Sequence, residues 1–122
     1  MPFEIGKSYT RRDIHNAIGG SMQAYLPTVG GEIVCVCLRH DDNPEAPRVV
    51  LVGSGPQVLE TGRKLSKKRD PLPVFLKHRP DDWRYAGMFK TSGSTTDLKT
   101  IQEHEKRAGR TGVRMIVYLD PV

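Results

Sequence analysis

The sequence predicts a small α+β fold, in which about three helices pack on a curved, mostly antiparallel β-sheet or barrel. The predicted elements follow in the order α, β, β, α, β, β, α, β, and the adjacent strand pairs suit antiparallel pairing in a strongly curved sheet. The chain has 122 residues, enough for one domain to bury a core without disulfides or metals. We therefore expect one domain over residues 1–122.

The first helix is predicted from its start and stop signals. The Thr10 side chain can cap the first turn, and Asp13, three residues later, completes a capping box. Ile14 and Ile18 then recur at helical spacing. Gly19 can take the left-handed conformation that ends a helix, so we expect the helix to end there.

A polar segment, residues 19–25, follows the first helix and is called the hinge below. Its Gly19-Gly20 pair allows the backbone to turn sharply and to approach a ligand closely. The hinge carries two hydrogen-bonding side chains, Ser21 and Gln23, and one aromatic ring, Tyr25. This combination suits ligand binding, and the alternative is an ordinary polar surface loop.

The charge of the chain favours an anionic partner. The net charge is +5, which suits a polyanion such as nucleic acid. Arg11 and Arg12 lie at the start of the first helix, where positive charge opposes the helix macrodipole. Fold stability gives no reason for this pair, whereas contact with an anion does. Solvated surface arginines are the alternative.

The remaining elements are predicted from hydrophobic patterns and from the turn-forming residues that separate them. Two further helices are predicted over residues 56–69, with Pro56 at the first helical position, and over residues 97–108, with an apolar stripe at Leu98, Ile101 and Ala108. Residues 78–82 have the length of a hairpin loop, and residues 92–96 are expected to form a small polar loop. Five runs of strand length are predicted as strands: residues 32–39, 48–52, 73–77, 83–91 and 113–119.

The fourth predicted strand carries most of the aromatic residues. Trp83, Tyr85, Gly87 and Phe89 alternate along it and are predicted to share one face. Alternating aromatics on a strand usually belong to the core, and we expect this of at least two of them. The functional alternative is a stacking wall for an extruded base.

Motifs for catalysis, metals or cofactors are weak. The Gly53-Ser54-Gly55 turn before a helix could hold a phosphate, but it matches no complete nucleotide-binding motif, and a tight turn is favoured. The acidic pairs Asp41-Asp42 and Asp81-Asp82 lie in loops, and no histidine has a partner at metal-ligand spacing. We therefore predict no catalytic residues, metal site or cofactor. The alternative is a small metal-dependent nuclease or nucleotide-processing enzyme that uses this turn and these acids.

The two cysteines, Cys35 and Cys37, point to the same side of a predicted strand. They are interpreted as small buried apolar residues, not as a disulfide or a zinc pair. The sequence has no apolar run near 18 residues, so no membrane span is expected. A cytoplasmic location is the default expectation.

Two segments carry a family resemblance. The opening FEIGKSYTRRDIHNAIGGSMQAYLPT resembles the start of the SRA-like domains attached to HNH nucleases in modification-dependent restriction enzymes. The later segment PLPVFLKHRPDDWRYAGMFKT is similar to the aromatic strand of the wider PUA, EVE and SRA group. The resemblance implies a PUA/SRA-like barrel that flips a modified base in DNA, more than in RNA, into a pocket. It also implies a link to restriction or defence, with a separate nuclease as a candidate partner.

The resemblance also assigns roles to residues. It implies phosphate contacts for Arg11 and Arg12, a base-edge contact for Gln23, and stacking on Tyr25 or Trp83. The basic run at the end of the second helix is a further candidate for phosphate contact, although its charge also suits a helix C-terminus. The predicted nucleic-acid-binding residues are Arg11, Arg12, His15, Gly19, Gly20, Ser21, Gln23, Tyr25, Lys67, Lys68, Arg69, Trp83 and Tyr85.

Overall fold

The structure is a computed structural model that describes residues 3–122. Three helices and eight strands form within this range, and the predicted α+β class with about three helices is confirmed. Their bounds are β1 Ser8–Tyr9, α1 Arg11–Ile18, β2 Thr28–Val29, β3 Glu32–Ile33, β4 Val36–Arg39, β5 Val49–Val52, α2 Pro56–Lys67, β6 Leu72–Arg79, β7 Asp82–Thr95, α3 Leu98–Ala108 and β8 Met115–Pro121.

One curved sheet organises the fold. Its strands lie in the order β4-β6-β7-β8-β5, with β1 paired to β7, while β2 and β3 form a separate hairpin. Every pair in the main sheet is antiparallel except β4 with β6. The first half of the long strand β7 pairs with β6, and its second half pairs with β8. The sheet therefore bends around β7.

Three groups of buried side chains hold the helices to the sheet. A central cluster fills the concave side of the sheet and includes Leu65 of α2. A side cluster lies between α1 and the outer face of the sheet around Phe75, and it includes Cys35 and Cys37. A third cluster joins Ile101 of α3 to strands β5 and β8.

The close contact of α2 with β5 depends on Gly62. A Cβ atom at this position would lie 2.4 Å from Cγ1 of Val52, a distance that real Cβ atoms do not reach. The helix therefore approaches the strand more closely than any residue with a side chain would allow.

The predicted capping box of α1 is confirmed, whereas Gly19 has a positive φ but not the left-handed helical conformation predicted for it. Thr10 and Asp13 make the reciprocal bonds of a capping box, and Gly19 after the helix has a φ of 96°. Asp97 caps α3 through the backbone N–H of Thr100, and Gly109 ends it in the left-handed conformation. These signals act within one helical turn, which is why the sequence reveals them.

Two predicted boundaries are wrong, and two short strands were missed. The run 32–39 divides into β3 and β4, because the N–H group of Val34 donates to the carbonyl of Pro27, after the hinge, and that of Cys37 donates to the carbonyl of Tyr25, at the end of the hinge. The predicted loop at 92–96 continues β7 as far as Thr95, because its backbone pairs with β8 despite its polar side chains. The two-residue strands β1 and β2 were not predicted, since they are too short to show a period.

The predicted apolar stripe of α3 is also corrected. Leu98 is 67% exposed, whereas His104 is 6% exposed and takes its place beside Ile101. The His104 ring is tolerated there because Nε2 lies 3.2 Å from the Tyr118 hydroxyl and Nδ1 lies 2.9 Å from the Arg107 guanidinium.

The aromatic residues of β7 do not share one face. Tyr85 pairs with Phe75 of β6, but the next pair joins Gly87 to Val74, so Ala86 forms a bulge. The bulge reverses the alternation, and Trp83 and Tyr85 pack in the side cluster while Phe89 packs in the central cluster. All three aromatic rings are buried.

Within residues 3–122, no helix has both the length and the apolar character that crossing a membrane requires.

Candidate nucleic-acid interface

A cleft of about 700 Å³ opens where the hinge meets the sheet. Residues from the hinge form one wall, the start of α2 and the end of β5 form another, and the ends of β4 and β6 complete the rim. The cleft thus brings together hinge, sheet and loop residues that are far apart in the sequence.

Arg11 holds the hinge in place. Its Nη2 donates to the carbonyl oxygens of Ser21 and Ala24, each at 2.9 Å, and its Cζ lies 5.0 Å from the centre of the Trp83 ring. The residue is only 8% exposed. The predicted phosphate contact is therefore replaced by a structural role, because the guanidinium is buried against the chain's own carbonyls.

Two other predicted contact residues also support the hinge. Nδ1 of His15 lies 2.6 Å from the carbonyl oxygen of Gly20, and Oγ of Ser21 accepts from the N–H groups of Gln23 and Ala24 at 3.0 and 3.2 Å. Gly20 has a φ of 82°, and a Cβ there would lie 2.7 Å from Cβ of Pro27. The hinge is thus an internally bonded turn and not a loose loop.

Gln23 and Arg12 keep their side chains available. Both are exposed, and within residues 3–122 neither side chain has a hydrogen-bond or ion-pair partner. Gln23 lines the cleft, whereas Arg12 lies on the outer side of α1. The contacts predicted for them with base edge and phosphate remain predictions.

Tyr25 provides an aromatic wall to the cleft. Its hydroxyl donates to the carbonyl of Val58 at 2.6 Å and accepts from Thr61 at 3.4 Å. Burial raises the pKa of the Tyr25 phenol, and the hydrogen bond from Thr61 opposes that rise. Met22 and Val58 line the cleft beside the ring and are 38% and 37% exposed. This apolar surface suits the flat face of a base.

Trp83 and Tyr85 are less accessible than the stacking hypothesis requires. Trp83 lines the cleft but is 6% exposed, and the charged groups of Arg11 and Lys77 lie 5.0 and 5.9 Å from its ring centre. Tyr85 is equally buried, packs against Phe75 with ring centres 5.3 Å apart, and is not among the residues that line the cleft. The structure therefore places both rings in the core.

The basic run at the end of α2 lies on another surface. Lys67, Lys68 and Arg69 line a separate shallow groove of about 360 Å³. Nζ of Lys68 lies 3.1 Å from Oε2 of Glu32, so part of the charge is neutralised within the chain. The structure does not bring this run to the cleft.

Among the cleft residues that were not predicted from the sequence, three carry polar or charged groups relevant to binding. Arg39 lies directly beside Lys77, because β4 and β6 pair in parallel and the last residue of β4 pairs with Lys77 of β6. Asn43 and Arg110 meet at the other side of the cleft. The sequence showed these residues only as strand-end or loop residues, and neither the parallel pairing that places Arg39 nor the hydrogen bonds that place Asn43 and Arg110 leave a local signal.

The loop acids and the glycine turn also border the cleft. Asp81 accepts from the backbone N–H of Arg11 at 3.0 Å, and Oδ2 of Asp42 lies 3.7 Å from Nε of Arg39. Gly53 and Gly55 line the cleft without left-handed backbone, and a Cβ at either would contact Val58 and narrow the opening. In the part of the chain that the structure describes, no three His, Cys, Asp or Glu side chains are grouped to hold a metal.

The cysteines behave as the sequence predicts. Cys35 and Cys37 are both buried and unbridged. The hydrogen bond with Cys35, and then burial, raise the pKa of Cys37 well above its ordinary value. The Cys37 thiol thus borders the cleft in its protonated, weakly reactive form.

Comparison with known structures defines the fold as that of an SRA domain. The chain is similar to a crystal structure of the SUVH5 SRA domain in complex with hemi-methylated CG DNA, with a TM-score of 0.60 and 12% sequence identity. The match covers 100% of this chain and 90% of that chain. At this level of identity the likeness shows the fold, and the SRA-like fold expected from the sequence is confirmed.

The chain also matches a sequence family. Residues 8–115 fit DUF6697, a domain of unknown function, and the chain therefore belongs to this family. No curated protein shows a significant sequence match to it.

Proposed function

We propose that this domain binds DNA and recognises a modified base that is extruded from the duplex into the cleft. The observation that carries the proposal is the meeting of Gln23 and Tyr25 with basic residues in one cleft on an SRA-like fold. The net charge of +5 supports binding to a polyanion.

The two kinds of surface in the cleft match the two requirements of base extrusion. Unpairing and unstacking a base costs a few kcal/mol, and a binding site has to offset this cost. The Tyr25 ring, with Met22 and Val58 beside it, can stack on the base, and stacking is worth about 1–3 kcal/mol per base. Gln23 can donate to and accept from the base edge.

Basic side chains at the rim are placed to bind the DNA backbone next to the extruded base. Arg39 and Lys77 are paired neighbours on the parallel strands β4 and β6, and both border the cleft. Contacts of this kind position a protein on DNA without reading the sequence. Arg12 and the Lys67-Lys68-Arg69 run are proposed to contact phosphates farther from the cleft.

Binding to short duplexes tests the proposal. We expect tighter binding to a duplex with one 5-methylcytosine, or another modified base, than to the unmodified duplex. A 2-aminopurine placed beside the target base should brighten on binding, because extrusion unstacks it. Equal affinity for all duplexes, with no change in fluorescence, would contradict the proposal.

Variants of Tyr25 connect the function to the cleft. Tyr25→Ala should weaken binding by about 5- to 140-fold, which corresponds to the 1–3 kcal/mol of one stacked base. Tyr25→Phe keeps the ring and should retain most of the affinity. Leu98→Ala serves as the control, because it truncates an exposed apolar side chain on α3, outside the cleft.

We further propose that the domain belongs to a modification-dependent restriction or defence system in the cytoplasm and works with a separate nuclease. The resemblance of the opening segment to domains attached to HNH nucleases supports this link. Cells that contain the protein and its nuclease partner should reduce plating of phage with modified DNA. Equal plating of phage with modified and unmodified DNA would contradict it.

The alternative function is a small metal-dependent nuclease or nucleotide-processing enzyme. It is favoured by one observation, the presence of Asp42, Asp81, Gly53 and Gly55 in the lining of one cleft. Binding and cleavage of DNA measured with and without EDTA separate the two functions. The proposed reader binds equally well in the presence of the chelator, whereas the enzyme needs its metal.

A further inference from the structure

One end of the cleft is formed by the connection between β4 and β5, which folds around Asn43. The backbone N–H of Asn43 donates to the carbonyl of Arg39 at 2.8 Å, and its carbonyl accepts from Ala46 at 3.0 Å. The side-chain Oδ1 accepts from the N–H of Leu51 at 2.8 Å. Since only the oxygen of the amide can accept this bond, the orientation of the whole amide group follows from it.

The nitrogen of this oriented amide lacks a partner. Asn43 is 5% exposed and lines the cleft. Among residues 3–122, no acceptor lies within hydrogen-bonding distance of its Nδ2. Nδ2 is not among the fully buried polar atoms without a partner, so solvent reaches it from the cleft and its N–H groups are free to donate to a ligand. A ligand in the cleft would supply that acceptor.

Arg110 places a second donor group at the same end of the cleft. Its Nη1 donates to the carbonyls of Asp42 at 2.6 Å and Leu51 at 3.4 Å, which tie the half-buried side chain to the connection around Asn43. In the described part of the chain, no carboxylate lies within 4.0 Å of the guanidinium. A Cβ at Gly53 would lie 3.7 Å from Nη2, so the remaining N–H groups lie next to the glycine wall of the cleft.

We infer that Asn43 and Arg110 form a donor pair that determines which base the cleft accepts. This inference rests on the proposed function and adds which bases the cleft distinguishes. Both residues offer only N–H groups to the cleft, so the bound edge must present acceptors. The nearby Asp42 carboxylate is an acceptor, but it lies 3.7 Å from Nε of Arg39.

The donor pair defines a class of base. Two neighbouring acceptors occur at O2 and N3 of cytosine and at O6 and N7 of guanine. Thymine and adenine place a donor beside the acceptor on each corresponding edge. The cleft therefore selects a modified cytosine or guanine over thymine or a modified adenine. An isolated phosphate presents the same oxygen acceptors, and the test has to separate this source from the base.

The variant Asn43→Asp tests the donor directly. Aspartate has the same shape, and its Oδ1 still accepts from Leu51, but its second oxygen cannot donate when ionised. Ser54→Asp is the matched control, because it adds the same charge at the glycine turn without changing the donor pair. Thermal unfolding of both variants verifies that they are folded.

Competition between duplexes with one variable position gives the readout. The probes carry 5-methylcytosine, guanine, thymine, N6-methyladenine or an abasic analogue at that position. We expect the wild-type protein to prefer the first two by roughly 5- to 140-fold in Kd, the range that one well-made pair provides. Asn43→Asp should remove most of this preference, whereas Ser54→Asp should lower affinity for every duplex alike.

The other outcomes are equally informative. If the wild-type protein distinguishes bases and Asn43→Asp keeps that preference, the role inferred for the donor pair is wrong, while the proposed function stands. A wild-type preference for thymine or N6-methyladenine also overturns it. If Asn43→Asp lowers the affinity for the abasic duplex as much as for the other duplexes, the donors bind phosphate and not the base. If the wild-type protein distinguishes no base at all, the proposed function itself fails.

Discussion

At the scale of single residues, two neighbouring arginines in the opening segment have different environments. Arg11 and Arg12 are neighbours in sequence, yet Arg11 is buried against the hinge and Trp83 while Arg12 is exposed. A sequence pattern cannot separate them, because a helix turns neighbouring residues to different faces and only the packed structure shows which face is covered.

Arg11 and Arg12 provide a prediction about stability in which Arg12 serves as the control. Arg11→Ala removes two charge-assisted hydrogen bonds to hinge carbonyls and should lower the free energy of unfolding by about 1.5–3 kcal/mol. Arg12→Ala should change it by less than about 0.5 kcal/mol. Urea unfolding of both variants measures the difference. Equal effects would mean that the hinge does not depend on Arg11.

Tyr25 gives a prediction that depends on pH. Tyr25→Phe removes the hydrogen bond to Val58 and should cost about 0.5–1.5 kcal/mol of unfolding free energy at neutral pH. Burial raises the pKa of Tyr25 in the folded protein above its ordinary value of 10.0. At higher pH the unfolded chain therefore loses this proton first, and the wild-type protein loses stability.

The stability advantage of the wild-type protein over Tyr25→Phe should accordingly be complete below pH 10.0 and shrink as the pH rises through the folded pKa. Unfolding free energies of both proteins at a series of alkaline pH values measure this difference. Two curves that stay parallel above that pH would show that Tyr25 ionises as freely in the folded protein as in the unfolded chain.

At the scale of elements, close packing determines where helices can lie. Helix α2 crosses β5 at Gly62, where a Cβ would lie 2.4 Å from Val52. The start of this same helix provides Val58, which borders the cleft and accepts the bond from Tyr25. The depth of the cleft thus depends on how closely α2 approaches the sheet.

Replacing Gly62 should therefore lower the free energy of unfolding. In an ordinary helix interior, Gly→Ala stabilises by about 0.5–1 kcal/mol. Here, Gly62→Ala should destabilise by about 1–3 kcal/mol, because the methyl group overpacks against Val52. Thermal unfolding shows whether Gly62→Ala raises or lowers the stability. In a Val52→Ala background the cost of Gly62→Ala should fall, and an unchanged cost would show that the contact is not its cause.

At the scale of the whole molecule, two separate surfaces that carry positive charge are candidates for DNA contact. Arg39, Lys77 and Arg110 border the cleft, whereas Lys67, Lys68 and Arg69 line the separate groove at the end of α2. One duplex seated on the cleft need not reach both, so salt dependence shows which surface contacts DNA.

The salt slope of binding provides the test. If each cation contacts a phosphate, Lys77→Ala, Arg12→Ala and Lys67→Ala should each lower the slope by roughly one unit and weaken all DNA sequences alike. Lys99→Ala, an exposed cation on α3, should leave the slope unchanged. If only Lys77→Ala changes it, the Lys67-Lys68-Arg69 run serves the C-terminus of α2.

Much of the fold could be predicted from local signals. The capping box of α1 and the period of the strands act over a few residues, so their physical causes are readable in the sequence. The hinge and the resemblance to SRA-like domains also depend on contiguous residues. The structural match then confirmed the fold.

The sequence by itself determined the three helices, the regions of the longer strands, their order and the hinge that carries Gln23 and Tyr25. Only the tertiary structure decided that Arg11 supports the hinge, that a bulge at Ala86 separates the aromatic residues of β7, and that Asn43 and Arg110 meet in the cleft. The physical reason is that burial and hydrogen-bond partners depend on contacts between distant segments. Such contacts leave no period or spacing in the sequence around either partner.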